Sequence, residues 1–561
     1  MLIIMLGCVF NTWAYDFMVD GIYYTVDNET QEATVVRKDQ QTTYSGHIVI
    51  PETVTHEGST YTVTAIGESA FSRSNIQSLS LPNTLRTIMN SAFYLCNGLT
   101  EVVVPNSVTS IGKYAFSDDK DLTRIFIGSG VESIGEYLIE DDYLITSLEV
   151  HPDNAYYDSR EDCNAIIETA TNTLIAGCKN TVIPNTVTEI GHEAFYRTSG
   201  PEHVVIPASV TKIGTIAFYY TQGLKHITVG SGVVDIVHNP FSHMPDSEII
   251  EVDPSNPKYD SRDNCNAIIE TATNTLVSAC RNTVIPNTVT NIGQWSYQGL
   301  AGMDEVIIPS SVTNISHVAF ASSEIKRITI PGTVKTIENG AFDMCLYLEE
   351  VYIEDGLTSL GREAFRLCPN LKHCRLPNTI TALPYGLFWQ CDNLQELIIP
   401  NSVIEVGDYA AYSCTETTRL VIGSSVKSIG VYAFRTLSKL PAVTCLAPTP
   451  PDVYETSFSA LWKNTTILRV PESSLELYKT RYPWNQAFLD IVGVCEDGSA
   501  GPGDTDGDGN ITIADVTLLI DAMLSGDTSA LFINNADLNN NGRIDVGDIT
   551  SIIDMLSNLN N

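Results

Sequence analysis

The chain has 561 residues, 43% of them hydrophobic, enough for several ordinary domains or for one long array with appendages. Its 67 acidic and 31 basic residues give a formal net charge of −36 and a sequence pI near 4.4. No basic run offsets that charge, which argues against nucleic acid and anionic lipid as partners, since both are bound through clustered Lys and Arg. Soluble cations and partners with basic patches fit better.

The chain opens with an apolar core from Leu2 to Phe10, followed by Thr12-Trp13-Ala14. A membrane-spanning helix needs about 20 apolar residues, so residues 1–14 read as a signal peptide cleaved after the small residue Ala14. The basic stretch that usually precedes such a core is missing, and a start codon upstream would supply it. Leu6-Gly7-Cys8 leaves a lipoprotein reading open. No later apolar run is long enough to cross a membrane, and secretion is the working expectation.

Residues 15–64 read as the N-terminal cap of a repeat array that follows. The phrase hydrophobic-Gly-x-x-Ala-Phe recurs, ending at Phe71, Phe116, Phe195, Phe218 and Phe434. Degenerate copies end at Phe93, Ile139, Phe241, Tyr297, Phe320, Phe342, Phe365, Phe388 and Ala411. The steps are 22 or 23 residues, apart from two of 56, each one repeat plus 33 extra residues. In the copy at 101–123 a strand-like run ends at Pro105, an extended piece covers Val108 to Ile111, and a helical turn is expected around Ala115-Phe116. Proline is tolerable where a ladder stops. One such unit cannot enclose its own apolar residues, but stacked units bury them in a continuous column. The expected fold is therefore a repeat solenoid of short β-strands and turns spanning 65–434. Residues 435–495 break the period and read as a C-terminal cap.

The two extra segments, near 150–183 and 252–285, carry nearly the same text and alternate like β-hairpins turning at Ala170-Thr171 and Ala272-Thr273. Counting outward from each turn sets Cys163 opposite Cys178 and Cys265 opposite Cys280. In an oxidising compartment each pair is a candidate disulfide; two thiols packed side by side is the other reading. Cys345, Cys368, Cys391 and Cys414 each lie three residues after their repeat's aromatic position and should stack in successive coils. A row of single cysteines does not converge on one zinc ion, so they read as small buried groups, with disulfides between neighbouring coils as the alternative.

Alternation along each main strand separates outward from inward side chains. One outward column holds Glu101, Arg124, His203, His226, Glu305, Arg327, Glu350, His373, Glu396 and Arg419. Opposite charges there meet across strands, contributing roughly 0.2–1 kcal/mol per pair, so a solvated ladder is one reading. Two residues on, the outward column reads Val103, Phe126, Val205, Thr228, Ile307, Thr329, Tyr352, Arg375, Ile398 and Val421. Apolar and aromatic groups beside charges suit a binding strip. Phe126 and Tyr352 are the candidate anchors, with Glu350, His373 and Arg375 around the second.

After a linker at 496–503, two loops have calcium-ligand spacing. The first is Asp504, Asp506, Asp508, Gly509, Asn510, Thr512 and Asp515 at positions 1, 3, 5, 6, 7, 9 and 12. The second, 33 residues on, is Asp537, Asn539, Asn541, Gly542, Arg543, Asp545 and Asp548. Calcium takes six to eight oxygens, position 7 gives its carbonyl, and glycine at position 6 permits the sharp turn. Two Ca2+ ions are expected. Each loop precedes a helix with an apolar stripe, Val516, Leu519, Ile520 and Met523 in one and Ile549, Ile552, Ile553 and Leu556 in the other. Gly501-Pro502-Gly503 rules out a helix before the first loop, so these are loop–helix units rather than full EF-hands.

The repeat, the inserted hairpins and the opening YDFMVDGIYYTV resemble the BspA-like leucine-rich-repeat family of surface proteins over roughly 15–490. That resemblance implies an adhesin or host-surface binder rather than a catalyst. Val, Ile and Ala-Phe replace most leucines here, and no Asn ladder is obvious. Residues 504–561 resemble type I dockerins, which bind cohesin modules and need calcium to fold. The resemblance assigns partner selection to positions 10 and 11, Ile513-Ala514 and Val546-Gly547, where many relatives carry hydroxyl residues. A calcium-stabilised stalk without a cohesin is the plainer alternative.

No H-E-x-x-H, G-x-S-x-G, phosphate loop or Cys-His signature appears, so the chain is expected not to be an enzyme. Two functions remain: a secreted or cell-surface adhesion protein that binds a host matrix protein or glycan, and a component of an extracellular polysaccharide-degrading complex.

Overall fold

A computed structural model describes residues 15–494, apart from 38, 40, 42 and 461, and then 503, 505, 513–525, 536–538 and 543–559. The chain divides into two compact units, Met1–Ala272 with Leu276–Val284, and Thr273–Thr275 with Ile285–Asn561. Each unit is built from stacked coils.

In the first unit the main strands Glu101–Val103, Arg124–Ile127 and Ser147–Val150 pair in parallel, as do His203–Ile206, His226–Val229 and Ile249–Val252. A second parallel ladder joins Thr87–Ile88, Ser110–Ile111 and Ser133–Ile134. The second unit repeats the scheme: Glu305–Ile307, Arg327–Ile330, Glu350–Ile353 and His373–Arg375 form one sheet. Another runs from Glu396–Ile398 through Arg419–Ile422, Ala442–Cys445 and Ile467–Pro471 to Asp490–Val494. The main sheet thus continues through residues 435–494 around a buried aromatic group of Phe458, Trp462, Tyr478 and Trp484. At the other end, residues 17–66 form antiparallel hairpins joined by parallel pairing of Glu32–Val36 with Ser59–Ile66, and lead into the coils.

The helical turn expected at the aromatic position is half present: alternate amides such as those of Ala92, Tyr94 and Cys96 donate three residues back, and those between them form a third ladder. The N–H groups of Ser69, Phe71 and Arg73 donate to the Asn90, Ala92 and Tyr94 carbonyls of the next coil at 2.8–3.0 Å. Those of Ser91, Phe93 and Leu95 donate likewise to Lys113, Ala115 and Ser117. Residues two before and two after most of the aromatics take left-handed φ, for instance Ser91 at +54° and Leu95 at +59°. A helical turn would aim these amides along its own axis and leave a buried coil edge unpaired; alternating the backbone turns every second N–H toward the neighbour. The left-handed residues carry a steric cost of roughly 1–2 kcal/mol each, offset by that pairing.

The repeat's aromatic residues are wholly buried and stack through the coils. Phe71–Phe93 and Phe93–Phe116 are 5.2 and 5.6 Å apart in the first unit. Phe320, Phe342, Phe365 and Phe388 follow at 5.0–5.8 Å, with interplanar angles of 8–15°, in the second. Three residues after most of the repeat aromatics comes a small buried polar group, although Met244, Leu300 and Leu437 fill that slot with apolar side chains. The thiols of Cys345, Cys368, Cys391 and Cys414 donate to the carbonyls of Phe320, Phe342, Phe365 and Phe388 at 3.0–3.2 Å. In the first unit Cys96 and Thr221 do the same to Phe71 and Phe195. The cysteines are neither bridged nor merely apolar; a thiol ladder stands where an asparagine ladder was sought.

The first hairpin pairs Ala165–Glu168 with Thr173–Gly177. Near the turn the register is the one read from the sequence, Ile167 facing Leu174, but a β-bulge shifts it by one residue beyond Ile166. Ala165 therefore faces Gly177, and the Cys178 thiol meets the Asn164 carbonyl at 3.3 Å. Cys163 accepts from the Val182 N–H and packs in a different apolar cluster from Cys178. A one-residue slip turns a side chain to the other face. In the second hairpin the Cys280 thiol meets the Asn266 carbonyl at 3.3 Å and Val284 donates to Cys265. All four cysteines are free, buried thiols, correcting the two predicted disulfides.

The turn ladder bypasses the first insertion. Asp141 donates its N–H to Arg197, the Ser199 hydroxyl donates to the Tyr143 carbonyl, and the Arg197 guanidinium reaches Asp141 at 2.8 Å.

Candidate functional site

The structure places the predicted outward columns in register. Glu101 faces Arg124 with an ion pair at 2.6 Å, and Arg124 also holds Glu149 of the next coil at 2.9 Å. Glu396 and Arg419 meet at 3.3 Å. His203 and His226 stack at 3.9 Å, their Nε2 atoms on Thr228 and Glu251, as members of a surface ladder. No group of three or more metal-ligating side chains converges among the described residues.

The five predicted ligand residues fall in two places. Phe126 lies in the first unit, half-buried beside the His151 ring at 6.1 Å. Glu350, Tyr352, His373 and Arg375 come together in the second unit, lining a groove of about 870 Å³ with Arg327 and Glu396. Strand pairing sets Glu350 beside His373 and Tyr352 beside Arg375. The Arg375 guanidinium lies 4.6 Å from the Tyr352 ring centroid and donates to the Ile353 carbonyl at 3.0 Å. It thereby covers a ring that the sequence offered as a bare anchor. Val421, expected outward, is buried between Ile398 and Thr444 of its column.

Of the predicted calcium ligands, Asp504, Asp506, Asp508, Asn510, Thr512, Asn539 and Asn541 lie outside the described residues. The described ones repeat one arrangement. Asp515 and Asp548, at position 12 of each loop, are wholly buried carboxylates. Each accepts the N–H of the residue at position 2, Thr505 at 2.7 Å and Leu538 at 2.9 Å, so the loop is closed on itself. Asp545 donates its N–H to Asp548 and accepts from Gly547. A buried acid closing an oxygen-rich loop fits calcium, whose hard charge such groups compensate.

The helices after the loops are Ile513–Ser525 and Val546–Leu559. Val516, Leu519, Ala522 and Ile552 form their common core, flanked by Ile549 and Leu556. Ile520 and Ile553, expected in that core, are 38% and 47% exposed. They share the outer surface with Ile513 and Val546, which are 77% and 66% exposed, and with exposed Ala514 and Gly547. Sequence reading missed this because Ile520 also fits the inner stripe; its spacing of seven from Ile513, repeated between Val546 and Ile553, is the signal that marks the outer one.

A smaller cavity of about 280 Å³ lies where the first hairpin meets the coils, lined by Tyr137, Glu140 and Glu193 among others. Burial lifts both carboxyls above their usual range, and Glu193 pairs with His192 at 2.6 Å.

Stacked parallel coils of 22 or 23 residues, an outward sheet face and a terminal pair of loop–helix units define a leucine-rich-repeat solenoid with a dockerin fold. The BspA type leucine rich repeat region matches in six copies over residues 52–160, 172–273, 275–395 and 358–477, so the chain belongs to that family. Residues 502–557 match the dockerin type I domain. A leucine rich cell surface protein from Faecalibacterium prausnitzii is 21% identical, with 85% of this chain and 98% of that one covered and a TM-score of 0.35. A leucine-rich repeat protein from Bacteroides ovatus is 20% identical, covers 85% and 100%, and has a TM-score of 0.38. One from Eubacterium ventriosum is 18% identical, covers 78% and 92%, and has a TM-score of 0.42. No curated protein matches the chain. Among the described residues, no helix is long and apolar enough to cross a membrane.

Proposed function

We propose that the chain is a non-catalytic, extracellular recognition protein that presents its sheet face to a protein or glycan ligand and attaches to a cohesin-type module through its calcium-loaded dockerin. The observation that carries the attachment half is the twofold surface of Ile513, Ala514 and Ile520 with Val546, Gly547 and Ile553. Large exposed apolar side chains at equivalent positions of two helices are what a docking interface needs. Calcium supplies the charge that draws each loop's oxygens together. Asp504, Asp506, Asp508, Asn510, Thr512 and Asp515 would hold one ion, and Asp537, Asn539, Asn541, Arg543, Asp545 and Asp548 the other, Asn510 and Arg543 through their carbonyls. Asp515 and Asp548 also hold the position-2 amides and so fix where each helix begins.

The ligand half rests on the groove at Glu350, Tyr352, His373 and Arg375, where mixed charge and an aromatic face share one concave surface. Phe126 would offer a separate apolar contact in the first unit.

The test is capture from cell-surface extracts on the immobilised full chain, with and without a calcium chelator. A cohesin-type partner retained only with calcium, and lost in an Ile513→Asp/Val546→Asp variant, is the expected result. Retention unaffected by both changes would refute the attachment. For the sheet face, Tyr352→Ala with Arg375→Ala should abolish a chelator-resistant contact to host matrix; if nothing is held that way, the adhesion half fails while assembly into a polysaccharide-degrading complex stands.

A further inference from the structure

The turn side of the second unit carries an aromatic group that the sheet face does not explain. Tyr385 and Trp389, Tyr409 and Tyr412, and Tyr432 belong to three successive coils, with neighbouring ring centroids 5.2–6.4 Å apart. All five are only half-buried. Trp389 and Tyr409 stack at 5.3 Å and 24°, but the other pairs do not cover one another as the buried phenylalanines do. Tyr385–Tyr409, Tyr409–Tyr432 and Tyr412–Tyr432 are inclined at 56°, 58° and 69°, against 8–15° down the Phe column. The Arg362 guanidinium lies 5.2 Å from the Tyr385 ring centroid and that of Arg435 4.6 Å from Tyr432, so these two rings are backed on one side by a cation while the group as a whole stays half-exposed to water.

Beside these rings runs a groove of about 640 Å³ over the short parallel strands Ala382–Leu383, Glu405–Val406, Ser428–Ile429 and Asp452–Val453. Tyr385 and exposed Tyr454 line it, and Arg362, Glu405, Asp408, Ser428 and Asp452 give it donors and acceptors. We propose that this ridge and groove bind a neutral oligosaccharide. A sugar ring has an apolar C–H face and a hydroxyl rim, matching aromatic faces beside short polar side chains. Three carboxylates against one guanidinium disfavour a polyanion. Between these four strands the backbone is already paired coil to coil, so an added peptide strand would find an edge only beyond Ala382–Leu383 or Asp452–Val453. Coils stacked about 4.8 Å apart also repeat the same surface along the groove, which suits a chain of like units.

The experiment titrates the calcium-loaded full chain with cellohexaose, xylohexaose, mannohexaose and maltohexaose, with an oligogalacturonate as the charged control. At least one neutral hexaose should bind, the oligogalacturonate should not compete, and Tyr409→Ala/Tyr432→Ala should weaken binding roughly tenfold or more. Tyr409→Phe/Tyr432→Phe keeps the ring faces and should bind within about threefold of the parent, separating ring contact from a folding defect. Tyr156→Ala, which removes an exposed ring of the first unit, should leave the titration unchanged. Failure of all four sugars at millimolar concentration, preference for the oligogalacturonate, or equal loss in the Phe and Ala pairs would each overturn the proposal.

Discussion

Two stretches of the same ladder differ in chemistry. From Phe342 to Cys414 the slot three residues past the aromatic is filled by thiols that donate to the preceding coil's Phe carbonyl. From Phe93 to Asp142 it holds Cys96, then Asp119, then Asp142. Asp119 and Asp142 are wholly buried; the Cys96 N–H donates to Asp119, and the Asp119 N–H donates to Asp142 at 2.5 Å. Coils stack equally well on both. The slot therefore accepts thiols and carboxyls alike, both meeting a neighbouring coil's backbone, and elsewhere Met244, Leu300 and Leu437 fill it without a polar group. Burial holds both acids well above the usual carboxylate range, Asp142 further raised by Asp119. Burial likewise raises all four thiols.

The largest expected effect comes from erasing the acid side of this contrast. A carboxyl whose pKa is higher in the folded state stabilises fully below its unfolded value near 3.9, and that stability is lost as pH rises through the folded value. The parent's first unit should thus weaken by up to about 1.4 kcal/mol per pH unit for each such group across that window. Asp119→Thr/Asp142→Thr, borrowing the residue of Thr198 and Thr221, should flatten the slope and raise stability at pH 8. Urea midpoints between pH 4 and 9 decide it, and identical slopes would end the comparison.

On the thiol side, Cys368→Ala removes a buried donor and opens a small void, costing about 2–3 kcal/mol. Cys368→Ser, which can still donate, should cost less, and neither variant should change the pH slope. Thiol labelling sharpens the point: Cys345, Cys368, Cys391 and Cys414 should resist alkylation in the native chain and react once urea exposes them. Smallest of all, Glu396→Gln loses one partly exposed ion pair with Arg419 and should shift stability by less than about 1 kcal/mol, fading with salt.

The stacking of coils was legible because the Phe positions and the outward columns follow from period and alternation alone, and the observed register of Glu305, Arg327, Glu350 and His373 is the one they dictate. The two calcium loops were legible from spacing. What escaped depends on backbone geometry that side-chain types do not encode. The left-handed φ at Ser91 and Leu95 belongs to no glycine, so a turn that shares its amides with a ladder looked like a plain helical turn. The bulge at Ile166–Ile167 leaves no mark in an alternating hairpin, so Cys178 was counted onto the wrong neighbour. Ile520 could have faced inward or outward on its helix, and only packing against Ile552 chose. The Tyr352–Arg375 contact needed the coil spacing to bring them together.

The hydrogen bonds that carry Asp141 straight to Arg197 let the turn ladder pass the first 33-residue hairpin, while the main sheet stops at Ser147–Val150 and the hairpin strand Thr173–Gly177 becomes the parallel partner of Glu189–Ile190. Adding or excising such a block leaves the flanking turns already joined, and only the two strand ladders need closing across the gap. Length variation among proteins built this way should accumulate at these junctions, as whole blocks rather than as single residues.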